Sequence, residues 1–296
     1  MKIENLRQIT EGSKSRISAD LIWEDNAWPG ITIFFETDKE FASALSDGPE
    51  SFLVGCVLPA WHHGEKRIYV EGKICPELHQ NLMTAMNWIR HWFYEPTRPL
   101  IMIESALRSE PAKAAMQRSG FFFSGGIDCL AALYDNHKHY PRRHPAAFRD
   151  GLLIYGQNIE SNTDPEVFKQ TSKRLAEVAA QSDITLIPVH TNIRMVDTSR
   201  FMFSINHAAI LGAVGHAFSN RLTSISISAS DSIPTLTLVN KYNFKPHGSH
   251  PVLDPLFGSY GMKIKHDGVA ASRLDKVKLI SGWDAAFQNI RVCGPN

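Results

Sequence analysis

The chain has 296 residues, a hydrophobic fraction of 43%, a charged fraction of 21% and a formal net charge of +1. That length suits one large or two modest domains with a substantial core. The near-neutral balance advertises neither a nucleic-acid surface nor an acidic tail, so a nucleic-acid partner is not expected. No apolar run is long enough to span a bilayer, and Met1–Asn5 begins without an apolar signal core, so a cytoplasmic protein with no membrane partner is the expectation.

In chain order, residues up to about 16 read as an exposed lead-in, with Arg7, Glu11, Lys14 and Arg16. Ile17–Trp23 and Gly30–Glu36 read as strands, the second being β-branched and aromatic. Asp38 is placed to cap a short helix through Phe41 and Leu45. Ser51–Leu58 is apolar throughout, so periodicity does not separate helix from strand. Lys66–Gly72 alternates as a strand. Pro76 opens a helix whose apolar stripe runs through Leu78, Leu82, Met86, Ile89 and Phe93. Residues 94–117 lose the pattern, apart from one short strand at Leu100–Ile103. A domain boundary near residue 110 follows: a smaller α/β (α+β) domain over 1–110, then a second domain over 111–296.

The second half alternates strand and helix: Gly120–Phe123, Ile127–Asn136, Gly151–Gly156, Pro165–Gln181 (capped by Asp164), Ile184–Val189, Met202–Phe218, Leu222–Ser228 and Gly268–Ile280. This spacing implies parallel βαβ units and an α/β, doubly wound parallel sheet. Ligands of such sheets sit beyond the carboxyl ends of the strands. Four polar stretches fall there: Ser124-Gly125-Gly126, Tyr155–Asn158, His190–Arg194 and Ser228–Ser232.

The first of these stretches organises the rest. An apolar strand through Phe122 and Phe123 ends in Ser124-Gly125-Gly126, and an apolar helix begins at Ile127. Adjacent glycines allow unusual backbone angles and close approach of a ligand. The helix start offers unpaired N–H groups and a positive dipole end, which suit phosphate. Asp128 would repel bare phosphate, a conflict that a bridging Mg²⁺ resolves.

This segment resembles the Ser-Gly-Gly-x-Asp-Ser signature of the PP-loop ATP pyrophosphatases, with Cys129 in place of the last serine. The resemblance implies a HUP-type sheet, Mg²⁺-ATP as cofactor, and cleavage between the α- and β-phosphates. It also implies backbone recognition of adenine at Phe122 or Phe123 and at Ile154 or Tyr155. From Phe121 onward the chain is similar to the 7-cyano-7-deazaguanine synthase-like branch, most sharply over Pro246–Leu256 and Arg273–Lys276. That branch adenylates a carboxylate or amide oxygen, which an amine then attacks, as an adenylate-forming ligase. The acceptor, a small molecule or a protein, is left open. Ser124, Gly125, Gly126 and Cys129 would meet phosphate, Asp128 the metal or the helix cap. Arg273 and Lys276, on one helix face, would offset pyrophosphate charge or form a solvated face with Asp275 and Asp267. Cys129 reads as a replaced phosphate-contacting hydroxyl, in a position where a helix start lowers a thiol's pKa.

The synthase branch ends in a four-cysteine zinc knuckle. Here only Cys293 matches, so no zinc is expected in this chain. His247, His250 and Asp254 are weak candidate metal ligands in a loop whose other reading is a rigid lid. The basic connector His137–Arg149 reads as a surface loop or a phosphate contact. His62-His63 reads as a solvated turn. Two alternatives stand beside the enzyme: a non-catalytic nucleotide sensor on the same fold, and a homo-oligomer or subunit of a larger modification or defence complex.

Overall fold

A computed structural model describes residues 1–108, 117–156, 165–233, 236 and 246–291. Within these, ten strands form one sheet in the order β10-β9-β6-β7-β8-β3-β2-β1-β4-β5. The strands are β1 (Lys2–Glu11), β2 (Lys14–Ile22), β3 (Ile31–Asp38), β4 (Arg67–Ile74), β5 (Met102–Leu107), β6 (Ser119–Phe122), β7 (Phe148–Tyr155), β8 (Thr185–Thr191), β9 (Ser224–Ser228) and β10 (Lys263–Asp267). The helices are α1 (Glu50–His62), α2 (Pro76–Phe93), α3 (Ile127–His139), α4 (Pro165–Gln181), α5 (Arg200–Ala217), α6 (Arg273–Ile280) and α7 (Asp284–Asn289). The protein is thus α/β with a mostly parallel sheet: β6 to β10 are mutually parallel, and the antiparallel pairs are β1–β2, β2–β3 and β3–β8.

Strand side chains alternate between two cores, the period-two rule of a sheet covered on both faces. Phe122, Leu152 and Ile154 enter a core shared with α1, α2 and α5. Phe121, Phe123 and Leu153 point the other way, against α3, α4 and the α6–α7 segment. Phe121 stacks on Phe148 at 4.8 Å. α1 is buried on nearly every side, which explains why its sequence shows no amphipathic stripe.

The two halves share the sheet. The expected boundary near residue 110 falls between β5 and β6, yet β3 of the first half pairs with β8 of the second at Phe35–Thr191 and Glu36–His190. Pro188 has no N–H, and a proline usually confines its strand to a sheet edge. Here side chains complete the join. The Thr37 hydroxyl donates to the Pro188 carbonyl at 2.7 Å and Thr191 Oγ1 to the Phe34 carbonyl at 2.7 Å. Asn192 accepts from Phe34 N–H at 2.9 Å and donates to the Thr32 carbonyl at 2.9 Å.

Several expectations are corrected. The supposed lead-in is strand: Ile3 is fully buried, and β1 pairs along its length with β2. Asp38 makes no cap bond to the 3-10 helix Lys39–Ala44; its carboxylate meets Lys14 at 2.8 Å. β10 lies where no strand was expected, and the short strand near residue 100 is shifted to Met102–Leu107. The cap expected at Asp164, with Gln157, Asn158 and Cys293, lies outside the described residues.

Candidate functional site

Among β6 to β10, chain order maps onto the spatial order β8-β7-β6-β9-β10. The chain runs outward from β6 to β7 and β8, then returns to the other side of β6 to lay down β9. The order therefore reverses at β6, and in open α/β sheets that reversal is where ligands sit, beyond the carboxyl ends of the flanking strands, here β6 and β9. The Ser124–Gly126 turn leaves β6 at that point.

Gly125 adopts φ +80°, a backbone angle that side chains with a Cβ resist, and its carbonyl accepts from Arg291 N–H at 2.8 Å. The turn is thus clamped from behind by the segment following α7. Ser124 itself is exposed. Gly126 is the N-cap of α3 and supplies no side-chain cap. The first-turn N–H groups of α3 consequently keep their capacity to meet an anion.

α6 packs alongside α3 and delivers two cations to Asp128. Lys276 Nζ donates to Asp128 Oδ1 at 3.2 Å, and Arg273 Nη2 to Oδ2 at 3.3 Å. Lys276 is 3% exposed, and its ammonium also donates to the Ala229 carbonyl at the end of β9. Arg273 stays largely in solvent. The start of α6 is fixed by a capping box between Ser272 and Asp275. Asp275 is thereby spent on the cap, and Asp267 accepts from the Ser226 hydroxyl. Asp128, Arg273 and Lys276 therefore form one cluster, and the solvated face with Asp275 and Asp267 does not form.

Cys129 departs from the expected direction. Its thiol donates to the Gly126 carbonyl at 3.1 Å and lies 3.6 Å from Ser124 Oγ. Burial pushes its pKa up, outweighing the Ser124 hydroxyl and nearby backbone N–H groups that pull the other way. It is a protonated, inward-facing thiol.

Phe123 and Ile154, at the ends of β6 and β7, are both buried. Phe123 N–H donates to the Leu152 carbonyl at 2.8 Å. By strand alternation, the N–H and C=O of Ile154 face the same side, past the last residue of β6. Tyr155 packs its ring on Phe168 and His190, at 5.1 and 5.3 Å between centroids. Gly156, at φ +96°, lies so close to the Thr191 carbonyl that a Cβ there would collide with it.

Beside Ala229, a small cavity of about 50 Å³ is lined by His207, Ser228, Ser230, Asp231, His247 and His266, among others. Its composition follows from β9 ending in Ser-Ala-Ser-Asp and from the Pro246–Leu256 loop folding over that end. Asp254 is fully buried and organises the loop. It accepts from Ser249 Oγ at 2.9 Å, His250 N–H at 2.8 Å and His266 Nδ1 at 2.6 Å. His250 Nδ1 accepts from Val252 N–H at 3.1 Å, and His247 Nδ1 from Ser249 N–H at 3.2 Å. These groups bind one another and the backbone of the same loop. His247, His250 and Asp254 do not converge as a metal-ligand set, whereas His62, His63 and Asp197 do.

The basic connector lies at the wrong edge to touch phosphate, because α3 carries the chain back to the amino end of β7. There Arg142 pairs with Asp183, and Arg149 donates to the Arg142 carbonyl. A cavity of about 720 Å³ opens at this amino edge too, lined by Ser119, Ser224 and Lys263. It is remote from the turn, and binding in open α/β sheets favours the carboxyl edge.

No helix among the described residues is long and apolar enough to cross a membrane. Comparison with protein families, with curated proteins and with solved structures returned no match to the chain.

Proposed function

We propose that the Ser124–Cys129 turn binds the triphosphate of Mg²⁺-ATP, and that the protein is an ATP pyrophosphatase of the PP-loop type. The observation that carries this reading is the position of the turn. It sits at the reversal of strand order, at the start of a helix whose first-turn carboxylate, Asp128, is faced by Lys276 and Arg273. An anion-binding helix start, a switch-point position and two cations on one neighbouring helix suit a polyphosphate better than any neutral ligand.

In the proposed reaction an acceptor carboxylate or amide oxygen attacks the α-phosphorus and pyrophosphate leaves. An amine then displaces AMP from the adenylated acceptor, as in 7-cyano-7-deazaguanine synthase-like enzymes. The first-turn N–H groups and Ser124 hold phosphate oxygens. Lys276 and Arg273 turn from Asp128 toward the pyrophosphate as its charge develops, an electrostatic contribution that a largely buried ammonium makes well. Asp128, released from that pairing, is the residue that would hold Mg²⁺, which would supply further neutralisation of phosphate charge. Backbone groups of Phe123 and Ile154 flank the adenine. The polar cavity beside Ala229 offers hydrogen-bonding groups to the acceptor.

Incubation of the full chain with Mg²⁺ and α-labelled ATP tests this. AMP and pyrophosphate formed in an acceptor-dependent manner, and lost in Lys276→Ala, are the expected result. Two observations favour a second reading, a nucleotide sensor: both oxygens of Asp128 are already neutralised within the chain, and a buried thiol stands where the proposed turn would carry a phosphate-facing hydroxyl. Tight ATP binding with no AMP formed in the presence of cell-extract acceptors would establish the sensor instead.

A further inference from the structure

A second cluster lies where the two halves of the chain meet, and the proposed nucleotide chemistry does not use it. α1 ends at His62, and His63 follows as its C-cap. Asp197 comes from the connection between β8 and α5. One ring nitrogen from each histidine and one carboxylate oxygen of Asp197 lie within 4.8 Å of one another.

The donors are held in place from outside. Asp197 Oδ1 accepts from the N–H of Ser199, the N-cap of α5, at 2.7 Å, which leaves Oδ2 for His63 Nε2 at 2.7 Å. Tyr94 Oη sits 2.7 Å from His62 Nδ1 and fixes that ring. Metal-binding imidazoles carry this kind of outer partner, which sets ring orientation. Trp28 and Trp23 pack edge-on against the His63 ring, at 4.4 and 5.8 Å between centroids, and form an apolar wall. Arg98, the nearby cation, is stacked on Tyr94 and donates at 2.7 Å to the carbonyls of Trp61 and His62, so its charge is turned to the backbone.

Two imidazoles and one carboxylate match first-row divalent ions and not Mg²⁺ or Ca²⁺, which take oxygen donors. We infer that His62, His63 and Asp197 form a binding site for a divalent transition-metal ion of the zinc class, with at least one coordination position left open. Tetrahedral zinc at its usual bond lengths sets nitrogen and oxygen donors roughly 3.3 Å apart. The His63–Asp197 pair at 2.7 Å must therefore open by about half an ångström as the metal replaces the shared proton. The expectation of no zinc rested on the lone Cys293 and concerns a different donor set. The histidines belong to the first half and Asp197 to the second, so the ion would also tie the halves together beyond the β3–β8 join.

Metal-stripped full-length protein titrated with zinc chloride by calorimetry, with thermal unfolding followed alongside, tests the site. The expected result is one zinc per chain and a raised melting temperature. His62→Ala and Asp197→Asn should each weaken binding by more than about tenfold and remove the thermal shift, while the exposed-histidine control His139→Ala should not. His62→Ala decides the matter, because among the described residues that ring's hydrogen-bond partner is Tyr94 and not Asp197, and circular dichroism checks that it folds. Cobalt(II) in the wild-type chain supplies a readout independent of any variant: visible bands without thiolate charge transfer support the assignment. No stoichiometric zinc, zinc binding that survives His62→Ala, or a thiolate–cobalt band would overturn it.

Discussion

Lys276 and Asp128 are 148 residues apart in sequence, yet Lys276 Nζ lies 3.2 Å from Asp128 Oδ1, with the same ammonium held by the Ala229 carbonyl. One side chain thus bridges α6, the first turn of α3 and the end of β9. If the chain turns over ATP as proposed, Lys276→Ala is expected to lower that turnover by about 100-fold or more, in the range seen when a positioned charge donor is removed. Lys276→Arg should recover little, because the buried site fits a compact ammonium and not a planar fork. Pyrophosphate release and ATP affinity, measured on variants whose circular dichroism matches wild type, check both statements.

Gly125 carries the turn into α3 at φ +80°, and a Cβ there would lie 3.0 Å from Leu175 Cδ2. Leu175 is a flexible neighbour and can yield, so the backbone angle dominates. Gly125→Ala should destabilise the fold by about 1–2 kcal/mol. On the proposed reading it should also weaken nucleotide binding disproportionately, since a relaxed turn would no longer present its N–H groups to phosphate. Urea denaturation gives the first quantity and ATP titration the second.

On the proposed reading Cys129 stands where a PP-loop turn would carry a serine, and its thiol makes the bond to the Gly126 carbonyl that a hydroxyl would make. Cys129→Ser is therefore expected to fold with a stability change under about 1 kcal/mol. In the native chain the buried, protonated thiol should resist alkylation near neutral pH, against the reactive thiol that a helix start suggests. Peptide mapping after iodoacetamide, native against urea-unfolded, distinguishes the two.

How far the sequence carries can be judged element by element. Strand, turn and helix around Ser124 are local events, written in consecutive residues by an apolar run, two glycines and a helical stripe. The pairing of Arg273 and Lys276 on one face follows equally from helical spacing, although that Asp128 lies opposite them does not. β1 escapes notice because half of its side chains are exposed, Ile3 is its one buried residue, and its stability comes from neighbours on both sides, β2 and β4. β10 is a short, polar strand that among the described residues pairs with β9 alone, and it has little apolar signal of its own. The β3–β8 join rests on two backbone pairs and three polar side chains. The convergence of His62, His63 and Asp197 depends on contacts across 134 residues, which no periodicity encodes. Helices and turns are legible locally; the meeting of distant polar groups is a product of the assembled sheet.

Asp150 at the amino edge is fully buried and ties β7 to two arginines: Arg118, which grips it through Nε and Nη2, and Arg221, at 2.9 Å. Removing the carboxylate leaves two cations facing each other over a gap. Because both arginines retain some solvent contact, the cost of Asp150→Ala should be about 2–4 kcal/mol, short of a fully buried charge left alone. Asp150→Asn should cost less, and a double variant with Arg118→Met should cost less than the sum of the single effects. Denaturant midpoints measured for the cycle test this.

The pH dependence of stability should carry the mark of His216. Its ring is 3% exposed inside α5, with Nε2 donating to the Phe257 carbonyl at 2.9 Å. Burial lowers its pKa below the ordinary 6.5, the nearby Arg108 adds to the effect, and Glu50 and the Phe257 carbonyl only partly oppose it. The folded chain therefore holds His216 neutral where the unfolded chain would protonate it. Between pH 6.5 and the depressed folded value, the unfolded state binds more protons, so stability rises with pH across that window. Above pH 6.5 the contribution is fully present; as the medium is acidified it drains away at up to about 1.4 kcal/mol per pH unit. His216→Gln removes the titrating group and should flatten this slope by up to one proton's worth, even if its stability at pH 8 is lower than wild type. Unfolding free energies measured from pH 8 to pH 5 on both proteins check the sign, and parallel slopes would show that His216 does not supply it.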